Sequence, residues 1–177
     1  MQFLQAICLV EEFLRDRCPF CVAQGRGHIY DHSLYDQPVK IVDFQPEHLL
    51  RLKIQERQTE VEQSLEYGKA LMSAGPAWTG LDGERVVFCA GKAEQWAGRY
   101  VLWAILAKEA KRHMLQITRA VKRGMLLLED GARFEAIVQS DFEQGHRWAS
   151  MVGMRWHHHE ERFLPDGTDA DIYVRFT

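Results

Sequence analysis

The chain has little of what would staple a fold covalently or hold it in a bilayer. Four cysteines occur in 177 residues, at Cys8, Cys18, Cys21 and Cys89. Only Cys18 and Cys21 are close neighbours, so there is no disulfide framework, and a reducing compartment is the simpler expectation. No apolar run approaches the ~20 residues that span a membrane as a helix. The opening MQFLQAICLVEEFLRDR lacks a basic start and carries Glu11 and Glu12 where a signal needs small residues, so no secretory signal is expected. An excess of one charge is missing too. With 22 Lys+Arg against 25 Asp+Glu the formal net charge is −3, which removes bulk attraction to nucleic acid or to an anionic membrane. Internal repeats and low-complexity tracts are also absent.

What is present is the profile of a folded domain, with 46% hydrophobic and 27% charged residues. The length suits one domain with a core and an appendage. Phe3, Leu4, Ile7, Val10, Phe13 and Leu14 recur at helical spacing, an N-terminal amphipathic helix. CPFCVAQGRGHIYDHSLYDQP then reads as an irregular connection, which sets residues 1–38 apart from a domain over 39–177. Val39 to Phe44 is a strand, and Pro46 opens a helix, where proline is tolerated in the first turn. A second helix is expected over Glu60 to Met72, ended by Gly75-Pro76. Two apolar runs around Asp82-Gly83 form a hairpin. After a loop from Gly91 to Gly98, RYVLWAIL is short and continuously apolar, a buried strand. KEAKRHMLQITRAVKRGMLLL is helical, with Met114, Leu115, Ile117 and Val121 inward. RFEAIV is a strand, Gly145 to Val152 a short helix, and RWHHHEERF and DIYVRFT are strands joined by the Pro-Asp-Gly turn of LPDGTD. The order is β-α-α-β-β-β-α-β-α-β-β after the extra helix. It predicts an α/β fold, a mixed central sheet with helices on both faces.

This order resembles the GNAT fold of acyl-CoA N-acyltransferases, over roughly Val39 to Thr177. VVFCAGKAEQWAGRYVLWAIL and the helix after it look like that fold's third and fourth strands and cofactor helix. RFEAIVQSDFEQGHRWASMVGM looks like its fifth strand and fourth helix, with Val152-Gly153-Met154 where the family commonly has Gly-Phe. Within that fold the chain resembles the internal virion protein A family of T-odd podophages. The resemblance implies a location in the host cytoplasm or the virion, phage structural or host proteins as partners, and virion assembly or interaction as the role. It also implies an alternative, an acetyl-CoA-dependent N-acetyltransferase of unknown amine acceptor. In that family a glycine-bearing turn brings backbone N–H groups to the CoA pyrophosphate. Here the corresponding Ala107 to Arg112 has no glycine. Lys108, Lys111 and Arg112 are the candidate cofactor-binding residues by charge; a solvated basic helix face is the competing reading. Where the family places a tyrosine acid, four residues before the Gly-Phe pair, this chain has Ala149, which cannot donate a proton. Glu94 is near where a general base sometimes lies, but as a lone carboxylate it reads as solvated. The catalytic apparatus therefore looks eroded.

Two segments could bind metal. In a regular strand over Arg155 to Phe163, His157 and His159 share a face with Arg155, while His158 points away with Trp156 and Glu160. Two histidines need a further ligand, for which Asp171 or Tyr173 are candidates, and an exposed strand face is the plainer reading. The second segment holds Cys18, Cys21, His28 and His32, a candidate structural zinc set: Cys-x-x-Cys presents two thiolates to one ion and His-x-x-x-His two imidazoles. Its six-residue gap is short for a zinc finger, and chance spacing in an extension is the competing reading. A zinc-stabilised nucleic-acid binder fits the charge balance poorly.

Overall fold

A computed structural model describes residues 39–177 apart from Thr59, Leu127 and Glu129. The expected N-terminal helix and the Cys18, Cys21, His28 and His32 set lie outside the described residues. The elements follow the expected order: β1 (Lys40–Asp43), α1 (Pro46–Arg51), α2 (Leu65–Ala74), β2 (Ala77–Asp82), β3 (Arg85–Trp96), β4 (Arg99–Leu106), α3 (Met114–Met125), β5 (Arg133–Gln139), α4 (Glu143–Met151), β6 (Arg155–Glu160) and β7 (Ala170–Phe176).

Local chemistry sets most of these boundaries. Pro46 occupies the first turn of α1, and the backbone N–H of Gln45 donates to His48 Nδ1 at 3.2 Å, a capping contact that satisfies a donor at the helix start. Ser64 caps α2, its Oγ accepting from Tyr67 N at 3.0 Å, so this helix starts at Leu65 rather than near Glu60. Gly75 ends α2 at φ 152°, and a Cβ there would collide with the Lys92 carbonyl. Gly83, at φ 58°, makes the turn of the β2–β3 hairpin, where Asp82 pairs with Arg85. β3 runs on through Trp96, so Glu94 is an exposed strand residue facing Tyr100 in register, not a loop residue.

The seven strands form one sheet in the order β1-β2-β3-β4-β5-β7-β6. All neighbours are antiparallel except β4 and β5, which a crossover through α3 makes parallel. Residues paired in register point to the same face. Thr79, Cys89 and Ile105 therefore share a face, and α1 lies against it, with His48 Nδ1 2.9 Å from Thr79 Oγ1. Phe44 and Trp103 meet edge to face on that side, their centroids 5.8 Å apart. On the opposite face Tyr100 stacks on Phe134, and α4 reaches Tyr173 through His146. Trp148 Nε1 donates to Thr118 Oγ1 at 2.9 Å, pinning α4 to α3. Leu49, Leu52, Leu71, Leu106 and Ile117 are fully buried at the centre; each such side chain contributes roughly 1.5–3 kcal/mol of apolar burial. Met114 and Ile117 point inward as the helical spacing predicts, but Leu115 is exposed. The helical period accounts for it: within α3, Leu115 lies ~100° round the axis from Met114 and ~160° from Ile117, off the face they bury.

Candidate functional site

β4 and β5 stay together for only three pairs, Arg99 with Arg133, Tyr100 with Phe134 and Val101 with Glu135. Beyond Val101 the pairing ends, so the second half of β4 and the end of β5 flank a split, or cleft, in which β4 has no β5 partner. Backbone direction alternates along a strand. Gly98 O accepts from Arg133 N, so the even-numbered residues of β4 present N–H and C=O groups toward β5. Past the split, Ala104 and Leu106 carry those groups into the cleft.

Three of them, Ala104 O and the N–H and C=O of Leu106, are taken up by the chain itself. Gln58 donates from Nε2 to Ala104 O at 2.9 Å and accepts from Leu106 N at 2.9 Å. Gln55 N donates to Leu106 O at 3.1 Å, and Ile54 bridges Ala107. Gln55 Nε2 supports the second amide, donating to Gln58 Oε1 at 2.7 Å. Both glutamines are buried, at 3% and 2% exposure. Across the cleft Arg57 pairs with Asp141 at 3.2 Å and lies 5.7 Å over the Phe142 ring. Residues 53–58 thus run from the β4 edge to the turn between β5 and α4. Sequence reasoning passed over them, because a Gln-rich polar segment reads as surface.

The three basic candidates lie on the 3₁₀ turn after β4. Lys108, Lys111 and Arg112 are all exposed. Lys108 Nζ is 3.9 Å from Glu56, and the Lys108 N–H donates to Lys53 O at 2.9 Å. Ala110 is buried, so its methyl group points into the protein. Ala149, on α4, is fully buried.

The histidine-rich strand departs from simple alternation. A β-bulge lies between Trp156 and His158. Trp156 Nε1 donates to Asp171 Oδ1 at 2.8 Å, and His159 Nδ1 lies 3.4 Å from the same oxygen. Trp156 and His159 therefore share a face, contrary to the expected pairing of His157 with His159. His157 instead meets His158, with the two Nδ1 atoms 2.5 Å apart. His146 is held by Tyr173 Oη at 3.0 Å and Ser140 O at 3.1 Å. Burial disfavours ionisation of Asp171, but hydrogen bonds from Trp156 and Ser140 and the nearby histidines outweigh it and hold its pKa below the usual value. Burial, together with the Asp171 charge, pushes the Tyr173 hydroxyl up. Among the described residues no group of three or more His, Cys, Asp or Glu side chains is set to hold a metal ion. Cys89, the free cysteine among them, is fully buried and its thiol is pushed up to about 12, so it is inert as a nucleophile.

A mixed seven-stranded sheet that splits between parallel β4 and β5 is the architecture of the GNAT acyltransferases, and comparison with solved structures gives the same fold. An N-acetyltransferase from Staphylococcus aureus Mu50 superposes with a TM-score of 0.62 at 7% identity, covering 78% of this chain and 97% of its own. A GNAT-family acetyltransferase from Bacillus anthracis gives 0.60 at 13%, with 79% and 95% covered. The ribosomal-protein-S18-alanine N-acetyltransferase from Escherichia coli gives 0.59 at 12%, with 76% and 91% covered. No protein-family model matches the chain, and no curated protein matches it in sequence. The fold is therefore that of GNAT enzymes, at identities that carry the fold alone.

The residues of this cleft do not fit a CoA thioester. A ligand chain lying along β4 meets Ala104 O and the N–H and C=O of Leu106 already bonded to Gln58 and Gln55. A pyrophosphate at the following helix needs free N–H groups and a close backbone; the Lys108 N–H is bonded to Lys53, and every residue from Ala107 to Arg112 carries a Cβ.

Proposed function

We propose that this chain is a GNAT-fold module that does not transfer acyl groups and works by binding other proteins. One observation carries the reading: the turn after β4 is a glycine-free 3₁₀ turn whose first N–H is already bonded within the chain. The fully buried methyl group of Ala149, where the resemblance expects an acid, adds to it. Acyl transfer from a thioester to an amine needs polarisation of the carbonyl and a route for the amine's proton. Glu94, exposed on β3, is the carboxylate that the resemblance brings nearest to such a role, and it faces Tyr100 across the hairpin rather than the split between β4 and β5.

The resemblance to the internal virion protein A family supports phage structural or host proteins as partners, in virion assembly, in the host cytoplasm or the particle. Mass spectrometry of purified particles tests that context, and its absence from them removes it. The second reading is an acetyl-CoA-dependent N-acetyltransferase, favoured by the fold and by the exposed Lys108, Lys111 and Arg112. Release of free CoA from acetyl-CoA across a panel of amines and N-terminal peptides decides between the two. The first reading predicts release at the uncatalysed rate; amine-dependent release overturns it.

A further inference from the structure

The cleft is closed by something specific. Four backbone-directed hydrogen bonds join residues 53–58 to the end of β4: Gln58 to Ala104 O and from Leu106 N, Gln55 N to Leu106 O, and Lys108 N to Lys53 O. A primary carboxamide offers one acceptor and a donor in the plane of a peptide group. Gln58 therefore presents to β4 what a neighbouring strand, or an amide-bearing ligand, would present. Gln63 anchors the far side of this segment, its Nε2 donating to the carbonyls of Leu49 and Leu52 at the end of α1 at 2.8 and 2.7 Å.

The seating is not fully satisfied. Gln55 Oε1 is buried and accepts no hydrogen bond, which raises the energy of the closed arrangement. The link to the other wall is an exposed ion pair, Arg57 with Asp141, of a kind that contributes little. The closure thus rests on Gln58, not on the latch.

We propose that residues 53–58 are an intramolecular strap in which the Gln58 carboxamide acts as an internal ligand of β4, and that this strap occludes the β4 edge to an extended amide-bearing chain such as pantetheine. The proposal rests on the reading of the cleft as non-catalytic and deepens it, because it names what closes the site. The parity of β4 makes it specific: the Leu106 amide faces the strap, while that of Ile105, paired with Cys89, faces β3.

Hydrogen exchange and calorimetric titration of the full chain with pantetheine and with CoA test it. In Gln58→Ala, exchange at the Leu106 amide rises at least tenfold while that at Ile105 does not change. Both probes bind at least tenfold more tightly than to the wild type. If Gln58→Ala does not fold, Gln58→Leu, which keeps the buried volume and removes both hydrogen bonds to β4, carries the same readouts. Unchanged affinity for both probes in the folded variant overturns the strap, whatever the exchange shows. Unchanged Leu106 exchange overturns it equally. Amine-dependent turnover by the wild type, with Gln58→Ala still binding more tightly, overturns the non-catalytic reading and leaves the strap standing.

Discussion

Glu135 shows how a single residue holds the intact half of the cleft together. It sits on β5 where the two parallel strands still pair, with its side chain only 7% exposed. Arg99 grips it with two hydrogen bonds, Nε to Oε1 at 3.0 Å and Nη2 to Oε2 at 2.8 Å, and Arg133 adds a third. Burial opposes ionisation of this carboxyl, but the two guanidinium groups outweigh it and its pKa lies below the ordinary value. Glu135→Gln leaves two partly buried cations without their counter-charge and lowers unfolding free energy by about 2 kcal/mol, measured by urea denaturation. The contribution of the carboxylate is complete above its unfolded pKa of ~4.3 and is lost as pH falls through the lower folded value. His48 acts in a different window. Burial, then the charge of Arg51, lower its pKa, with Glu47 only partly opposing. Its neutral ring is the stabilising form, so the contribution is full above ~6.5 and declines as pH falls from there through the folded value. Melting temperature should therefore drop between pH ~7 and ~5 in the wild type. His48→Gln, which keeps a capping acceptor, should flatten that slope while leaving the Glu135 slope at lower pH. An unchanged slope in His48→Gln would remove His48 as its source.

Among the elements, those with a local signal were legible and those defined by a neighbour were not. The Asp82-Gly83 turn, Pro46 and the apolar run of β4 each carry their instruction within a few residues, so the hairpin, α1 and the buried strand are where the sequence indicates. α2 began later than expected because Ser64, a better N-cap than anything near Glu60, decides its start. Ser64→Ala should lower stability by ~1 kcal/mol without moving other elements, read by urea denaturation; a loss near zero would mean that packing alone sets this boundary. The 3₁₀ turn at Lys108–His113 carries no distinctive local signal and forms where the chain pairs with Lys53 and Ile54. The bulge at His157 likewise depends on the register with β7. Within the candidate site, the departures at Ala107 to Arg112 and at Ala149 could be read directly from residue identity. The strap could not, since burial of Gln55 and Gln58 follows from the open edge of β4, which exists only once β5 has diverged.

For the whole molecule, the fold of an acyltransferase and the chemistry of one are separable. The sheet, the crossover and the split strands are those of the fold, while in the proposed reading the groups that would meet a thioester are engaged within the chain or replaced by alanine. On that reading, what remains of any attraction for CoA is the field of Lys108, Lys111 and Arg112, which salt screens over ~10 Å at 0.1 M. Lys111→Ala together with Arg112→Ala should remove that residual attraction and leave the melting temperature unchanged to within about 2 °C, since exposed substitutions seldom exceed ~0.5 kcal/mol. The most direct measurement is calorimetric titration of the intact chain with acetyl-CoA at low and at moderate salt. The account predicts no saturable micromolar binding, with any weak heat at low salt disappearing as salt is raised. Micromolar binding that persists unchanged across that range would contradict it.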